Sequence, residues 1–514
     1  MPKNDETFSS KEAQNPMRLH VTPDRILFKR DPMLYGHFLE HFHRQIYGGV
    51  FDPTSPFADE DGFRTDVLDA LRKIRTPIIR WPGGCFVSSY NWKKGVGPNR
   101  RPVFDKAWRV EEPNTFGTDE FIRLCRKLGC EPYICTNAGT GSAEEMSDWV
   151  EYCNLKNEGE YARMRIANGY EAPHSVKYWS VGNENWGGHE IGAKDTAEWG
   201  RLVRESAKMI KHVDPSTSLT AAALVDLDWN VNLLRTSADR LEWISIHQYW
   251  DHVWNTNDLA PYARCMAYTA ELETDINKVR GLLTAMGLEK RIRIAFDEWN
   301  LRGWYHPNVH TAYQGRTPEE YILPRDDNDL NASYTMADAV FSACFLNTLL
   351  RNADIVGMAN FAPVVNTRGA IFTHPGGIVL RTTYHAFDMY ANLMGDTVID
   401  SWIRNMEPYK TPGREGEVIV DCIDCVATLH SDTGVIAIAC VNKHETEDRE
   451  ITLELPFKGS VTVTSLTGHS ADDYNDIDRD NVHPYDNPDA VLACSENTLI
   501  VRLPAHSVNV IQIK

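Results

Sequence analysis

The chain has 514 residues, 42% of them apolar and 24% charged, the make-up of a globular protein large enough for two or three domains. A formal charge of −19 argues against nucleic acid and anionic membrane surfaces as partners, because phosphate binding wants clustered Lys and Arg. There is no run of about 18 apolar residues to span a membrane, and the tail over residues 1–17 is polar and lacks the apolar stretch of a secretory signal, so a cytoplasmic location is expected.

Taken in chain order, residues 18–33 hold a strand-like run, Arg18–Phe28. From 34 to 396, short β-prone runs alternate with amphipathic helical stretches. The strands are expected at Leu34–Glu40, Pro77–Trp81, Pro132–Asn137, Val176–Asn183, Ser218–Ala223, Trp243–Tyr249, Ile292–Glu298 and Ile355–Phe361. The helices are expected at Asp66–Ile74, Thr118–Leu128, Ala143–Asn157, Thr196–Val213, Ala270–Met286 and Ala332–Arg351. Eight strands separated by helices imply a parallel sheet closed into a (β/α)8 barrel with long loops. The longest loop, Trp299–Leu330, carries Trp304, Tyr305, Tyr313 and Tyr321. Beyond residue 397 the runs Val418–Leu429, Val435–Asn442, Glu450–Leu455, Ser460–Leu466 and Leu499–Ile513 alternate apolar and polar residues, as in an antiparallel β-sandwich over 397–514. The strand in 18–33 is expected to join that sandwich. Eleven scattered cysteines, several inside apolar runs, suit buried free thiols in a reducing compartment. The spacing Cys422-Ile-Asp-Cys425 has no second pair to make a metal site.

Barrel chemistry lies at the C-terminal ends of the strands. In order, those ends present Glu40, Arg80, Asn137, Asn183-Glu184, His247-Gln-Tyr249, Asp297-Glu298 and Asn360. The two segments Trp179-Ser-Val-Gly-Asn-Glu-Asn185 and Ile294-Ala-Phe-Asp-Glu-Trp-Asn300 stand out, since each is a buried-type run that ends in a carboxylate. One such glutamate reads most simply as a strand end meeting solvent. Two, at strands four and seven beside Arg80, His247 and Tyr249, read as the paired carboxyls of a glycosidase, one donating a proton and the other attacking or activating water. Arg80 and Tyr249 are suited to holding a carboxylate ionised, and Asn183 and Asn360 to binding sugar hydroxyls. Trp186 and Trp304 are candidates to stack on sugar rings or to pack the loops. His37, His41 and His43 straddle a strand–loop junction rather than one helix face, so no metal site is expected there.

These segments, with Tyr35-Gly-His-Phe-Leu-Glu-His41 and Arg80-Trp-Pro-Gly-Gly-Cys85, resemble the α-L-arabinofuranosidases of glycoside hydrolase family 51 over nearly the whole chain. The resemblance implies exo-acting release of terminal arabinofuranosyl units from hemicellulose or pectin oligosaccharides, by a retaining mechanism without cofactor or metal, in an intracellular homo-oligomer, commonly a hexamer. It implies Glu184 as acid/base and Glu298 as nucleophile, their carboxyls about 5–5.5 Å apart, with Glu40, Arg80, Cys85, Asn183, His247 and Tyr249 lining the furanose pocket. One departure stands out: many members carry Gln in an Ala-Asn-x-Ala-Gln-x-Val-Asn context, where this chain has Ala359-Asn-Phe-Ala-Pro363-Val-Val-Asn366. Pro363 supplies no amide, so either the following Asn366-Thr-Arg-Gly369 is expected to compensate or the glycone preference to differ. Other readings on the same barrel are a β-D-galactofuranosidase or an endo-β-1,4-glucanase or xylanase. A non-catalytic carbohydrate-binding protein is the reading from another class, and the kept glutamates argue against it.

Overall fold

The computed structural model describes residues 15–254, 256–305, 329–455, 459–495 and 498–514. Residues 1–14 of the expected tail, and Tyr313 and Tyr321 of the expected loop, lie outside the described residues. Eight parallel strands form the barrel: Gly36–Phe38, Ile78–Trp81, Glu131–Thr136, Tyr178–Val181, Ser218–Ala221, Trp243–Asp251, Arg293–Arg302 and Val356–Phe361. Strands five and six close the ring through an Ala222–Ser245 bridge and the Ala223 amide, which donates to the Ser245 carbonyl at 3.1 Å.

The strands form where expected, with shifted ends. Strand one is shorter, and strands six and seven run on past their polar tips. The helices Leu227–Ser237, Tyr262–Ala267 and Thr382–Leu393 escape the sequence reading. The helix expected as Ala143–Asn157 ends at Asn154, and a further helix that the sequence reading lacks, Gly159–Ala167, follows after Glu158.

Helix Met336–Arg351 is apolar on nearly every side and buried along its length, as a helix covered on all faces must be. Thr335 and Asp338 form a reciprocal cap at its start. One side packs on barrel strands six and seven, where Phe345 meets Trp250, Phe296 and Trp299 at ring separations of 4.6–5.0 Å. At its end Arg351 and Asn347 both donate to Asp424 of the C-terminal region, at 2.8 and 2.7 Å. The helix thus joins the two layers.

Ten strands form one hydrogen-bonded sheet in the C-terminal region, and Pro408–Pro412 pairs with Glu417–Asp421 in a separate two-stranded sheet. As expected, the N-terminal strand Arg18–Lys29 belongs to the larger sheet, antiparallel to Thr397–Arg404 and parallel to Arg449–Glu454 at its first residues. Two runs read as single strands are each divided: Glu417–Asp421 and Ile423–Leu429 part at Cys422, and Thr498–Leu503 and Ser507–Ile513 part at Pro504-Ala-His506, where His506 takes a left-handed conformation. All eleven cysteines are free thiols, and Cys422 lies against the Met17 sulfur rather than Cys425.

Truncating the junction tests its weight. Phe345→Ala removes a fully buried ring and is expected to cost about 3–5 kcal/mol, read by chemical denaturation. A loss under about 1 kcal/mol would mean the helix is not the pin between the layers.

Candidate active site

The carboxylates of Glu184 and Glu298 face each other at the C-terminal mouth of the barrel. An oxygen of each, with a ring nitrogen of His247, lies within 4.8 Å of the others. Local backbone explains both placements. Glu184 sits just past strand four with φ of 44°, after Gly182 at 75°. A left-handed non-glycine residue is uncommon and costs energy that the surroundings must offset. Near Glu298 the pairing of strand seven shifts register against both neighbours, between Ala295 and Glu298 on one side and Phe296 and Trp299 on the other. Successive residues of a regular strand point to opposite faces. The bulge is what lets Asp297 and Glu298 both turn inward.

Arg80, fully buried at the end of strand two, organises this side. Its Nη1 donates to Glu298 Oε2 at 2.7 Å, its Nη2 to Asn183 Oδ1 at 2.7 Å, and its Nε lies 3.4 Å from Asp297 Oδ2. Tyr249 Oη donates to the other oxygen of Glu298 at 2.7 Å. Asp297 also accepts from Tyr133 and Ser245, at 2.7 and 2.6 Å. Burial works against its charge, but Arg80 and His247 hold its carboxyl below the usual range.

His247 Nδ1 donates to Glu184 Oε1 at 2.8 Å and lies 3.7 Å from Glu298 Oε2, with Nε2 3.3 Å from Asp297. Burial disfavours its charged form, yet the charges of Glu298 and Asp297 and the bond to Glu184 raise it to about 10. His189 donates from Nε2 to the second Glu184 oxygen at 2.8 Å, and that bond raises its own affinity for a proton. Glu184 therefore accepts from two imidazoles. Burial pushes its pKa up, but those two bonds outweigh burial and keep it ionised.

Glu40 differs. It is buried, with one oxygen accepting from the Phe86 amide and the Trp108 indole, each at 3.0 Å. Burial, and next the charge of Glu298, push it up to about 8, so it stays a neutral acid through most of the physiological range. Gly83 and Gly84 make room for it: a Cβ at Gly83 would lie 2.4 Å from Glu40 Cγ. Cys85 faces Glu190, and burial followed by the charges of Glu190, Glu40 and Glu184 push its thiol well up, which leaves it a poor nucleophile.

Eight of the expected residues therefore converge: Glu40, Arg80, Cys85, Asn183, Glu184, His247, Tyr249 and Glu298. Two lie outside the cluster. Asn360 is fully buried below it and donates to the His37 carbonyl at 2.9 Å, tying strand eight to strand one. Trp186 is half-buried, its indole donating to the Ala223 carbonyl at 3.1 Å and its ring 5.8 Å from His189. Trp304 is buried against Phe42 and His43. Of the histidines near strand one, His37 is buried without a hydrogen-bond partner and held neutral, and His41 bonds Glu112 and Trp81. Among the described residues, the groups close enough to share an ion are Cys85 with His189 and Glu190, and Glu184 with His247 and Glu298. In the second, His247 already pairs with both glutamates; in the first, Cys85 bonds Glu190 while His189 bonds Glu184.

The sequence reading passed over His189, Glu190 and the bonding role of Arg368. The signal for the first two was the polar run Asn183-Glu-Asn-Trp-Gly-Gly-His-Glu190, which does not end at the strand tip. Glu190 accepts from Asn183 Nδ2 at 2.8 Å and Ser88 at 2.7 Å, so the Asn183 amide is bound at both ends by protein.

A parallel eight-stranded barrel with two inward glutamates at the tips of strands four and seven defines the class of two-carboxylate glycoside hydrolases. The family profile described as Alpha-L-arabinofuranosidase 1 domain matches residues 70–266, and that described as Alpha-L-arabinofuranosidase C-terminal domain matches residues 297–507. Alpha-L-arabinofuranosidase C of Emericella nidulans is 35% identical, over 90% of this chain and 92% of its own. An intracellular exo-alpha-(1->5)-L-arabinofuranosidase of Halalkalibacterium halodurans is 32% identical over 94% and 96%. The structure of a thermostable GH51 alpha-L-arabinofuranosidase from Thermotoga petrophila RKU-1 superposes with a TM-score of 0.84 at 32% identity, covering 97% of this chain and all of that one. The chain belongs to the α-L-arabinofuranosidases of glycoside hydrolase family 51.

The neutral state of Glu40 has a measurable sign. Below about pH 4.5, the ordinary glutamate value, folded and unfolded chains both hold its proton; from there to about 8 only the folded chain does. This group's contribution to stability is lost as pH rises across that window. Glu40→Gln removes the titration. Its unfolding free energy relative to wild type is expected to improve by more than about 1 kcal/mol between about pH 5 and about pH 8. A constant difference would contradict a buried neutral Glu40.

Proposed function

We propose that the protein is a retaining exo-hydrolase that releases terminal α-L-arabinofuranosyl residues from hemicellulose or pectin oligosaccharides. The observation that carries this reading is the Glu184–Glu298 pair, with an oxygen of each within 4.8 Å. That limit is below the roughly 6.5–9.5 Å that leaves room for an attacking water and is compatible with the closer approach, roughly 5–5.5 Å, of retaining enzymes.

A Glu298 oxygen attacks the anomeric carbon as the bond to the leaving oxygen breaks, and Glu184 gives that oxygen its proton. Arg80 and Tyr249, one on each Glu298 oxygen, hold and aim the attacking group. The proton for Glu184 resides on its imidazole partners and crosses a 2.8 Å hydrogen bond to make the neutral acid. In the second half, Glu184 takes a proton from water as the water oxygen attacks the anomeric carbon and the ester to Glu298 breaks. Neutral Glu40, Cys85 and Asn183 line the pocket for sugar hydroxyls.

We further propose the division into a polar tail over 1–17, a strand segment over 18–33 that joins the C-terminal region, a catalytic barrel over 34–396 and a β-sandwich over 397–514. The relatives named intracellular support a cytoplasmic location, and no described helix is long and apolar enough to cross a membrane. A homo-oligomer, as the family resemblance implies, is to be read by sedimentation.

The test is hydrolysis of 4-nitrophenyl α-L-arabinofuranoside beside an arabinofuranoside with an unactivated alcohol leaving group. Glu298→Ala is expected to lose at least about a thousandfold in kcat on both. Glu184→Ala is expected to lose about 10²–10⁴-fold on the alcohol and far less on the nitrophenolate, which needs no proton. Equal damage by Glu184→Ala on both would contradict the division of roles.

A further inference from the structure

The turn after barrel strand eight is built with unusual care for a loop. Asn366 and Thr367 are consecutive non-glycine residues in the left-handed region, at φ of 52° and 57°. Such strain persists where surrounding contacts over-determine it, and it gathers at functional sites. Those contacts are present. Arg381, buried and paired with Asp329 at 2.9 Å, donates to the carbonyls of Thr367 and Gly369 at 3.0 and 2.9 Å. Tyr334 donates to the Thr367 carbonyl at 2.9 Å, and Asn300 to the Arg368 carbonyl at 3.2 Å.

What the turn delivers is Arg368. Its Nη2 donates to Tyr249 Oη at 2.9 Å, its Nε to the Ala362 carbonyl at 3.2 Å, and its guanidinium carbon lies 4.6 Å from the Tyr249 ring centre. Guanidinium carries donors only. Tyr249 Oη must therefore accept from Arg368, and its single proton is left for Glu298 Oε1, 2.7 Å away. Without Arg368 the hydroxyl could accept from or donate to any group that enters the pocket.

We infer that Arg368 is a positioning residue for the hydrolytic reaction: through Tyr249 it fixes the direction of the hydrogen bond on the Glu298 carboxylate, on the side of the pocket where Pro363 offers no side-chain donor. The inference rests on the proposed role of Glu298. It makes Glu298 a carboxylate held by one oriented donor on each oxygen, with Arg80 on Oε2 and Tyr249, set by Arg368, on Oε1.

A double-mutant cycle tests it, with kcat and KM for 4-nitrophenyl α-L-arabinofuranoside measured on wild type, Arg368→Met, Tyr249→Phe and the double variant. Arg368→Met is expected to lower kcat/KM at least about tenfold, chiefly in kcat, and Arg368→Lys, which keeps a donor-only group, to restore most of the loss. In the Tyr249→Phe background, Arg368→Met is expected to cost less than about a further twofold, because the group it acts through is gone. Losses that multiply, or an Arg368→Met enzyme equal to wild type, would overturn the inference while leaving the proposed activity intact. A wild type inactive on this glycoside would overturn the proposed activity and the inference with it. Should Arg368→Met fail to fold by circular dichroism, the cycle with Arg368→Gln is read by the same criterion.

Discussion

Three carboxylates, Glu184, Asp297 and Glu298, are brought to one place, and the rest of the site follows from keeping them there. Two like charges about 5 Å apart repel by roughly 3 kcal/mol at an effective dielectric of about 20, a large share of a domain's net stability. Arg80 and His247 answer this by position. Arg80 reaches Asp297 and Glu298 from strand two, and His247 touches all three acids from strand six. Glu40, also near Glu298, is resolved the other way, by staying protonated. One pocket thus holds Glu184 and Asp297 as charged groups and Glu40 as a neutral one.

The barrel supplies this geometry because parallel strands end on one face, and the C-terminal layer is tied to the outside of the barrel. Helix Met336–Arg351 is the joint between them, buried against strands six and seven and anchored at Asp424. The packing that holds strand seven in place is therefore the packing that fixes the bulge at Asp297-Glu298. A distant change in that helix is connected to the site through one continuous layer of aromatic side chains.

Much of this was legible in the amino-acid sequence. Apolar runs ending in polar residues marked the eight strands and most of the site, because alternation and burial are local signals. The bulge was not legible, since register depends on both neighbouring strands. Whether Asn360 meets a ligand or a backbone carbonyl depends on its depth in the barrel, which no local pattern encodes. His189 and Glu190 lie on a loop whose polar composition fits any solvent-exposed turn. Arg368 stood in a segment noted only for what Pro363 lacks; its reach to Tyr249 comes from two left-handed residues that the sequence gives no reason to expect.

The central claim is that Glu298 attacks the sugar itself rather than activating water. The measurement that tests it most directly is the anomeric configuration of the first sugar released from an α-L-arabinofuranoside, followed by proton NMR before mutarotation. The account predicts that the α-anomer appears first and the β-anomer only later. Initial release of the β-anomer would contradict it.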